Sequence, residues 1–173
     1  MPVKSSKQRD EWRLNLRPFI LGDLYELEPG YFHSVGNLPP GLIPVVSCGD
    51  YDNGVVGYYD IGNVPTFVNR ITIAFNGDNA LTAKYHPYRF AAKDDVAVCH
   101  PKRPLQPTTE LYIQTMVNRE RWRYSYYRKC FADKLRRFQV SLPSKQGNID
   151  EETIGAVVEA SPYWNYIQTQ VAP

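Results

Sequence analysis

Apolar and polar residues alternate along much of the first hundred residues and recur at helical intervals after them. Leu14, Leu16 and Pro18 alternate with Asn15 and Arg17, which predicts a short strand. Gly22-Asp23 interrupts it, and "LYEL" resumes as a strand or a single helical turn. "GNLPPGLIP", residues 36–44, reads as a loop from its Gly and Pro content, either a plain connector or part of a binding face. "VVSCGDYDNGVVGYYD", residues 45–60, reads as strand, turn, strand, because Asn53-Gly54 tolerates positive φ at both positions. "ITIAFNGDNALTAKYH", residues 71–86, follows the same plan around Asn76-Gly77, without being a sequence repeat. "DVAVCH", residues 95–100, is one more strand, and its alternation puts Cys99 and His100 on opposite faces.

Beyond residue 100 the period is helical. Tyr112, Ile113, Met116 and Val117 share a face of one helix, with Thr108 or Thr109 as its cap and Pro107 before it. Phe131, Leu135 and Phe138 define a second helix whose outer face carries Lys134, Arg136 and Arg137, and "VSLP" is extended. Asp150 caps a third, with Ile154, Val157 and Val158 inward. Ser161-Pro162 opens a last short helix with Trp164, Ile167 and Val171 on one side. The expected class is α+β: a β-rich N-terminal half with hairpins and a helical C-terminal part. No linker separates two full domains. Residues 1 to about 10 read as a mobile start, and the C-terminal helices pack on the body or on a partner.

Composition narrows the function. The 173 residues suit one domain, with or without a short appendage, and can bury a core without disulfides. Thirteen tyrosines suit a surface that binds something, since each offers a ring and a hydroxyl. The window Lys102–Arg137 holds ten bases and three acids in a chain whose total charge is only +2. From Asn148 onward there are acids and no Lys or Arg. One side therefore suits a polyanion and another faces elsewhere. Three separated cysteines fit neither a zinc knuckle nor a disulfide framework, and the N-terminus lacks the apolar core of a signal peptide. With no apolar run of membrane-spanning length, the expected setting is reducing and cytoplasmic, away from membranes.

Several catalytic classes find no support. "NLPPG" only mimics the tetrad of adenine methyltransferases, with Leu38 before the prolines and Gly41 after them. No Gly-rich phosphate loop is present. Asp94 and Asp95 lack the acid-x-Lys arrangement of a metal-dependent nuclease, and His33, His86 and His100 are scattered.

The segment "RWRYSYYRK", residues 121–129, interleaves four bases with four aromatics. If locally extended, Arg119, Arg121 and Arg123 would project to one face; guanidinium forks suit phosphates and guanine edges, and rings stack on bases. The bland reading is core rings under a solvated basic surface. The run "RYSYYRKCFADKLRRFQVSLP" resembles the end of a target recognition domain of type I restriction–modification specificity subunits. "IPVVSCGDYDNGVVGYYD", "ITIAFNGDNALTAKYHPYRFAAKDDVAVCHPK", "LYIQTMVNRERWRYSY" and "GNIDEETIGAVVEA" resemble further blocks of that family in the same order. Tyr127 stands where the family usually has Gly, and the long helix between two recognition domains has no counterpart, so the likeness is to half a subunit.

The resemblance implies a recognition domain over residues 11–143 and a helical appendage over 144–173. It implies a non-catalytic, cofactor-free module that reads one half of a bipartite site in double-stranded DNA. Its partner would be an adenine methyltransferase subunit, which holds S-adenosylmethionine; a motor–nuclease subunit and a second copy of the chain stand as further candidates. Arg119, Arg121, Arg123, Arg128, Lys129 and Lys134 would hold phosphates, with Tyr124 and Tyr126 among them. Ser47, Asp52, Asn53, Asn76 and Lys84 would face base edges, although Asn53 has the stronger case as a turn former alone. The competing readings are a protein-interaction module on the same fold and a small nuclease.

Overall fold

The strand order follows from which segments can afford to be apolar on both faces. The computed structural model describes residues 14–76, 79–124 and 129–171; the polar start of the chain lies outside them. The chain runs β1 (Leu16–Ile20), α1 (Leu21–Leu24), β2 (Tyr25–Pro29), β3 (Pro40–Val46), β4 (Val55–Tyr59), β5 (Arg70–Ala74), β6 (Ala83–His86), β7 (Ala91–Ala92) and β8 (Val96–Pro101). It continues through α2 (Pro107–Asn118), α3 (Ala132–Arg136), β9 (Gln139–Lys145), β10 (Asn148–Ile149), α4 (Glu151–Glu159) and α5 (Trp164–Val171). The α+β class and both hairpins are as the alternation predicts.

An antiparallel sheet of order β2-β8-β5-β6 forms the centre. One face presents Tyr25, Leu27, Ile71, Ile73, Ala83, Tyr85, Ala97 and Cys99 to the helices. The other presents Ala74, Val96 and Val98 to Val46 and Ala92 of the second sheet, order β4-β3-β7, and to Phe67 and Phe90, which pair with each other in an isolated bridge. Strand β8 is sandwiched, which is why it reads as an almost unbroken apolar run. Cys99 is buried on the helix side, while His100 points the other way, its Nε2 2.8 Å from Glu28. A third sheet, β1-β9-β10, closes the molecule.

Three local expectations change. The loop expected over 36–44 ends early, because β3 begins at Pro40. A register shift between Pro40 and Ile43 absorbs the Pro-Gly pair, and β7 reaches only Val45 and Val46, so Pro44 has a single strand neighbour. Neither Thr108 nor Thr109 caps α2. Gln106 is the N-cap and Pro107 opens the helix, and the carboxylate of Glu151 in α4 accepts from Gln106 N (2.9 Å) and Thr109 Oγ1 (2.9 Å). Phe131 is exposed, because α3 is a single turn that begins after it; only Leu135 and Phe138 of that expected face are buried. The core face of α2 also carries Glu110, whose Oε2 accepts from Tyr25 Oη at 2.6 Å and whose pKa burial pushes up to about 7.

The C-terminal helices pack on the body. Asp150 caps α4 through Thr153 N at 3.1 Å, and Ile154 and Val171 enter the same core as Ile113 and Leu142.

Strand β6 is the open edge of the central sheet, and side-chain amides occupy it. Gln114 Oε1 accepts from Tyr85 N (3.0 Å), and Asn118 both accepts from Ala83 N (2.8 Å) and donates to Ala83 O (2.9 Å). Four residues along a helix rise about 6 Å and two along a strand about 6.6 Å, so Gln114 and Asn118 match the outward-facing Ala83 and Tyr85. An edge that would otherwise template pairing is thereby covered.

Asn118→Ala is expected to lower stability by about 1–3 kcal/mol, read as a shift in the urea midpoint at unchanged slope. Because the folded pKa of Glu110 is raised from 4.5 to about 7, the native state binds the extra proton between those values. Stability should therefore fall as pH rises through that window, by up to about 1.4 kcal/mol per pH unit. Glu110→Gln should abolish this component in urea titrations run across the window.

Candidate nucleic-acid interface

The connection between β3 and β4, residues 47–54, is built from the inside. Asp52 (φ 48°), Asn53 (φ 49°) and Gly54 (φ 80°) all take the left-handed region, and Ser47 N donates to Gly54 O at 2.8 Å. A Cβ at Gly54 would lie 2.7 Å from Ser47 O, so both conformation and space demand glycine. The amide of Asn53 donates to Tyr85 O at 3.0 Å and lies 3.2 Å from His86 Nδ1 and 3.1 Å from Tyr88 Oη. Burial lowers the His86 pKa to about 3, so the ring is neutral. With Nδ1 accepting from the Asn53 amide, Nε2 carries the proton and donates to Thr72 Oγ1 at 2.8 Å. Asn53 is thus a turn former and a latch, and it completes the amide cover of β6.

Ser47 and Lys84 do not face outward. Ser47 Oγ donates to Asp95 Oδ2 at 2.6 Å, and the Lys84 ammonium donates to Gly49 O beneath the loop. Both are buried, and burial holds the Lys84 pKa below the usual lysine range, with Asp50 opposing that shift and Arg121 adding to it. Their polar ends are consumed in shaping the loop, which corrects the expectation that they face bases. Asp52 is exposed on the loop. Asn76 belongs to the β5–β6 connection, and Gly77 lies outside the described residues.

Residues 119–123, the described part that carries the three alternate arginines, are helical rather than extended. Arg119 is the C-cap of α2, and Arg121–Arg123 form a 3-10 turn, so the three arginines diverge. One nitrogen of Arg121 donates to both oxygens of Asp50, at 3.1 and 3.0 Å, which ties the basic turn to the 47–54 loop. Arg123 pairs with Glu120 at 3.1 Å, and Arg119 reaches Met116 Sδ at 3.9 Å. Lys134 donates to Lys129 O at 3.4 Å, and the Lys129 ammonium lies 5.9 Å from the Phe131 ring centre. Tyr124 packs edge-on against Phe138 at 6.4 Å. Trp122, Arg123, Tyr124 and Lys134 line a hollow of about 510 Å³, and Arg123, Tyr124, Lys134 and Arg137 line another beside it. Tyr126, Tyr127 and Arg128 lie outside the described residues.

The fold therefore joins Asp50, Asn53, Lys84 and Arg121 at one end of α2. Asp50, Gln114 and Asn118 were not expected there. Asp50 carries no local signal, because its partner is far along the chain; the helical spacing of Gln114 and Asn118 was visible but had no known strand to meet. Among the described residues no cluster of His, Cys, Asp or Glu could hold a metal ion, and no helix is long and apolar enough to cross a membrane.

No protein-family model matches the chain. Over 133 residues, 76% of the chain, it is 23% identical to the type II restriction enzyme BgcI specificity subunit S.BcgI of Heyndrickxia coagulans, covering 39% of that protein. Its fold is similar to the type I restriction–modification S subunit of M. genitalium, with TM-score 0.63, 17% identity, and cover of 96% of this chain and 45% of that one. The HsdS subunit of Thermoanaerobacter tengcongensis is similar at TM-score 0.55 and 16% identity, over 91% of this chain and 38% of that one. The chain spans less than half the length of these relatives. The expected recognition-domain fold is thus the observed one.

Asn53→Ala should be less stable than Asn53→Gly by about 1 kcal/mol, because only alanine adds left-handed strain to the lost amide bonds. Thermal midpoints of the two variants beside the parent chain check this; equal midpoints would leave the backbone conformation without a role.

Proposed function

We propose that the chain is a non-catalytic reader of double-stranded DNA that recognises one half-site within a restriction–modification or DNA adenine methyltransferase complex. The observation that carries this reading is the Asp50–Arg121 tie, which sets an ordered polar loop beside a cluster of cations on one end of the molecule. Phosphate contacts position a protein on DNA and loop groups read base edges, and cations and polar loop groups suited to those two roles are neighbours here. Arg119, Arg123, Arg128, Lys129 and Lys134 are the proposed phosphate contacts, with Tyr124 and Tyr126 beside them. Asp52, Asn53 and Asn76 are the proposed loop contributors to base reading. Likeness to specificity subunits supports the same role. The proposed division is a recognition domain over 11–143 and an appendage over 144–173. The expected partner is an adenine methyltransferase subunit, with a motor–nuclease subunit or a second copy as further members of the assembly.

A protein-binding role is favoured by one feature: Leu42, Val56 and Tyr58 are exposed on the β3–β4 hairpin. That patch lies on a different element from the cations, so it suits a partner in the same complex.

Selection from random duplex DNA at two salt concentrations, with and without a candidate methyltransferase, tests the function. A short enriched half-site is expected. No enrichment in either condition, with the protein folded, would reject DNA reading in favour of protein interaction. Lys134→Ala should weaken binding evenly across sequences and reduce the salt slope by about 1. Charge reversal at Arg128 and Lys129 together should weaken it further, and unchanged affinity would remove them from the interface.

A further inference from the structure

Tyr51 and Trp122 are 90% and 81% exposed. An isolated exposed ring is ordinary on a protein surface. These two stand on joined segments: each is the chain neighbour of one member of the Asp50–Arg121 pair, so one ion pair ties together the two segments that carry them.

Both rings stand on held backbone. Around Tyr51, Gly54 N donates to Tyr51 O at 2.8 Å, and the loop is further tied by Lys84 to Gly49 O and by Asn53 to Tyr85 O. Around Trp122, Arg123 N donates to Glu120 O at 3.0 Å and Tyr124 N to Arg121 O at 2.9 Å. Rings presented on rigid supports lose little entropy on binding. Trp122 also shares its hollow with Arg123 and Lys134, so cations flank the ring. Asp50 and Arg121, the chain neighbours of the two rings, largely neutralise each other. That pair is a poor grip for phosphate, whereas it offers acceptors and donors of the kind that meet base edges.

Resting on the DNA-reading function, we propose that Tyr51 and Trp122 are specificity-determining rings that wedge against base steps of the duplex, with Asp50–Arg121 fixing their spacing. The class of ligand is a deformable base step in duplex DNA, read through the energy of unstacking it. Asp50 is a positioning residue in this scheme.

The test uses the full chain and its selected duplex, labelled for anisotropy, with 2-aminopurine placed at each step in turn. Trp122→Ala and Tyr51→Ala should each weaken binding about tenfold or more. The salt slope should be unchanged, since no phosphate contact is lost. The 2-aminopurine signal of unstacking should appear with the parent chain, vanish in Trp122→Ala and return in Trp122→Phe. Asp50→Asn should loosen discrimination between base steps more than it changes affinity. Both rings are exposed, so melting temperatures should match the parent chain. Parent-like affinity and unstacking in both alanine variants would overturn the wedge and leave DNA reading standing. If those variants keep DNA binding but lose the methyltransferase, the rings belong to a protein interface and the proposal fails. A parent chain that binds no duplex would overturn the reading on which the proposal rests.

Discussion

Everything at the proposed interface depends on how the open edge of β6 is satisfied. An edge strand must find partners for outward-facing amides and carbonyls or leave them to water and to other chains. Here three side-chain amides serve as the missing strand: Gln114 and Asn118 from α2, and Asn53 from the 47–54 loop. Because the ligands of one strand come from a helix and a loop, the edge locks those two elements to each other. The helix cannot slide without breaking the bonds of Ala83 and Tyr85, and the loop cannot lift without uncovering Tyr85 O. The Asp50–Arg121 pair adds a second tie at the surface, where solvent screening makes it weak in energy but still directional.

Helix α2 is held at its other end by a different device. Its first turn lacks a side-chain cap of its own, and Glu151 supplies the acceptor from the start of α4. A carboxylate between two helix N-termini is favoured by both dipoles. The acidic C-terminal part of the chain thus clamps one end of α2, and the amide cover of β6 clamps the end that leads into the basic turn. Glu110, buried along the same helix, gives the core a proton whose loss near neutral pH weakens the packing.

Charge that looks available along the chain is partly spoken for in the fold. Arg121 is turned to Asp50, Arg123 to Glu120, and Lys84 is buried under the loop. A count of cations therefore overstates the charge left for the proposed phosphate contacts, while the hollows beside Arg123, Lys134 and Arg137 keep several of them around exposed or half-exposed rings.

Local chemistry was enough to specify much of this protein. Alternation marks β5 and β8, Asn53-Gly54 marks the first hairpin, and Asp150 marks the start of α4, because each depends on neighbours within a few residues. The same reasoning misjudged Arg119, Arg121 and Arg123, whose extended spacing gave way to a helix end and a 3-10 turn. It also misjudged Phe131, left outside a helix too short to bury it, and Ser47 and Lys84, whose polar groups turned inward to hold the loop. Tertiary structure alone decided the contacts that make the site: Asn53 with Tyr85 and His86, Asn118 with Ala83, and Asp50 with Arg121. Each joins residues more than thirty positions apart, so none leaves a periodic trace. The order of elements follows from pattern along the chain, whereas the partner of each buried or paired polar group follows from which surfaces the folded layers bring within hydrogen-bonding reach.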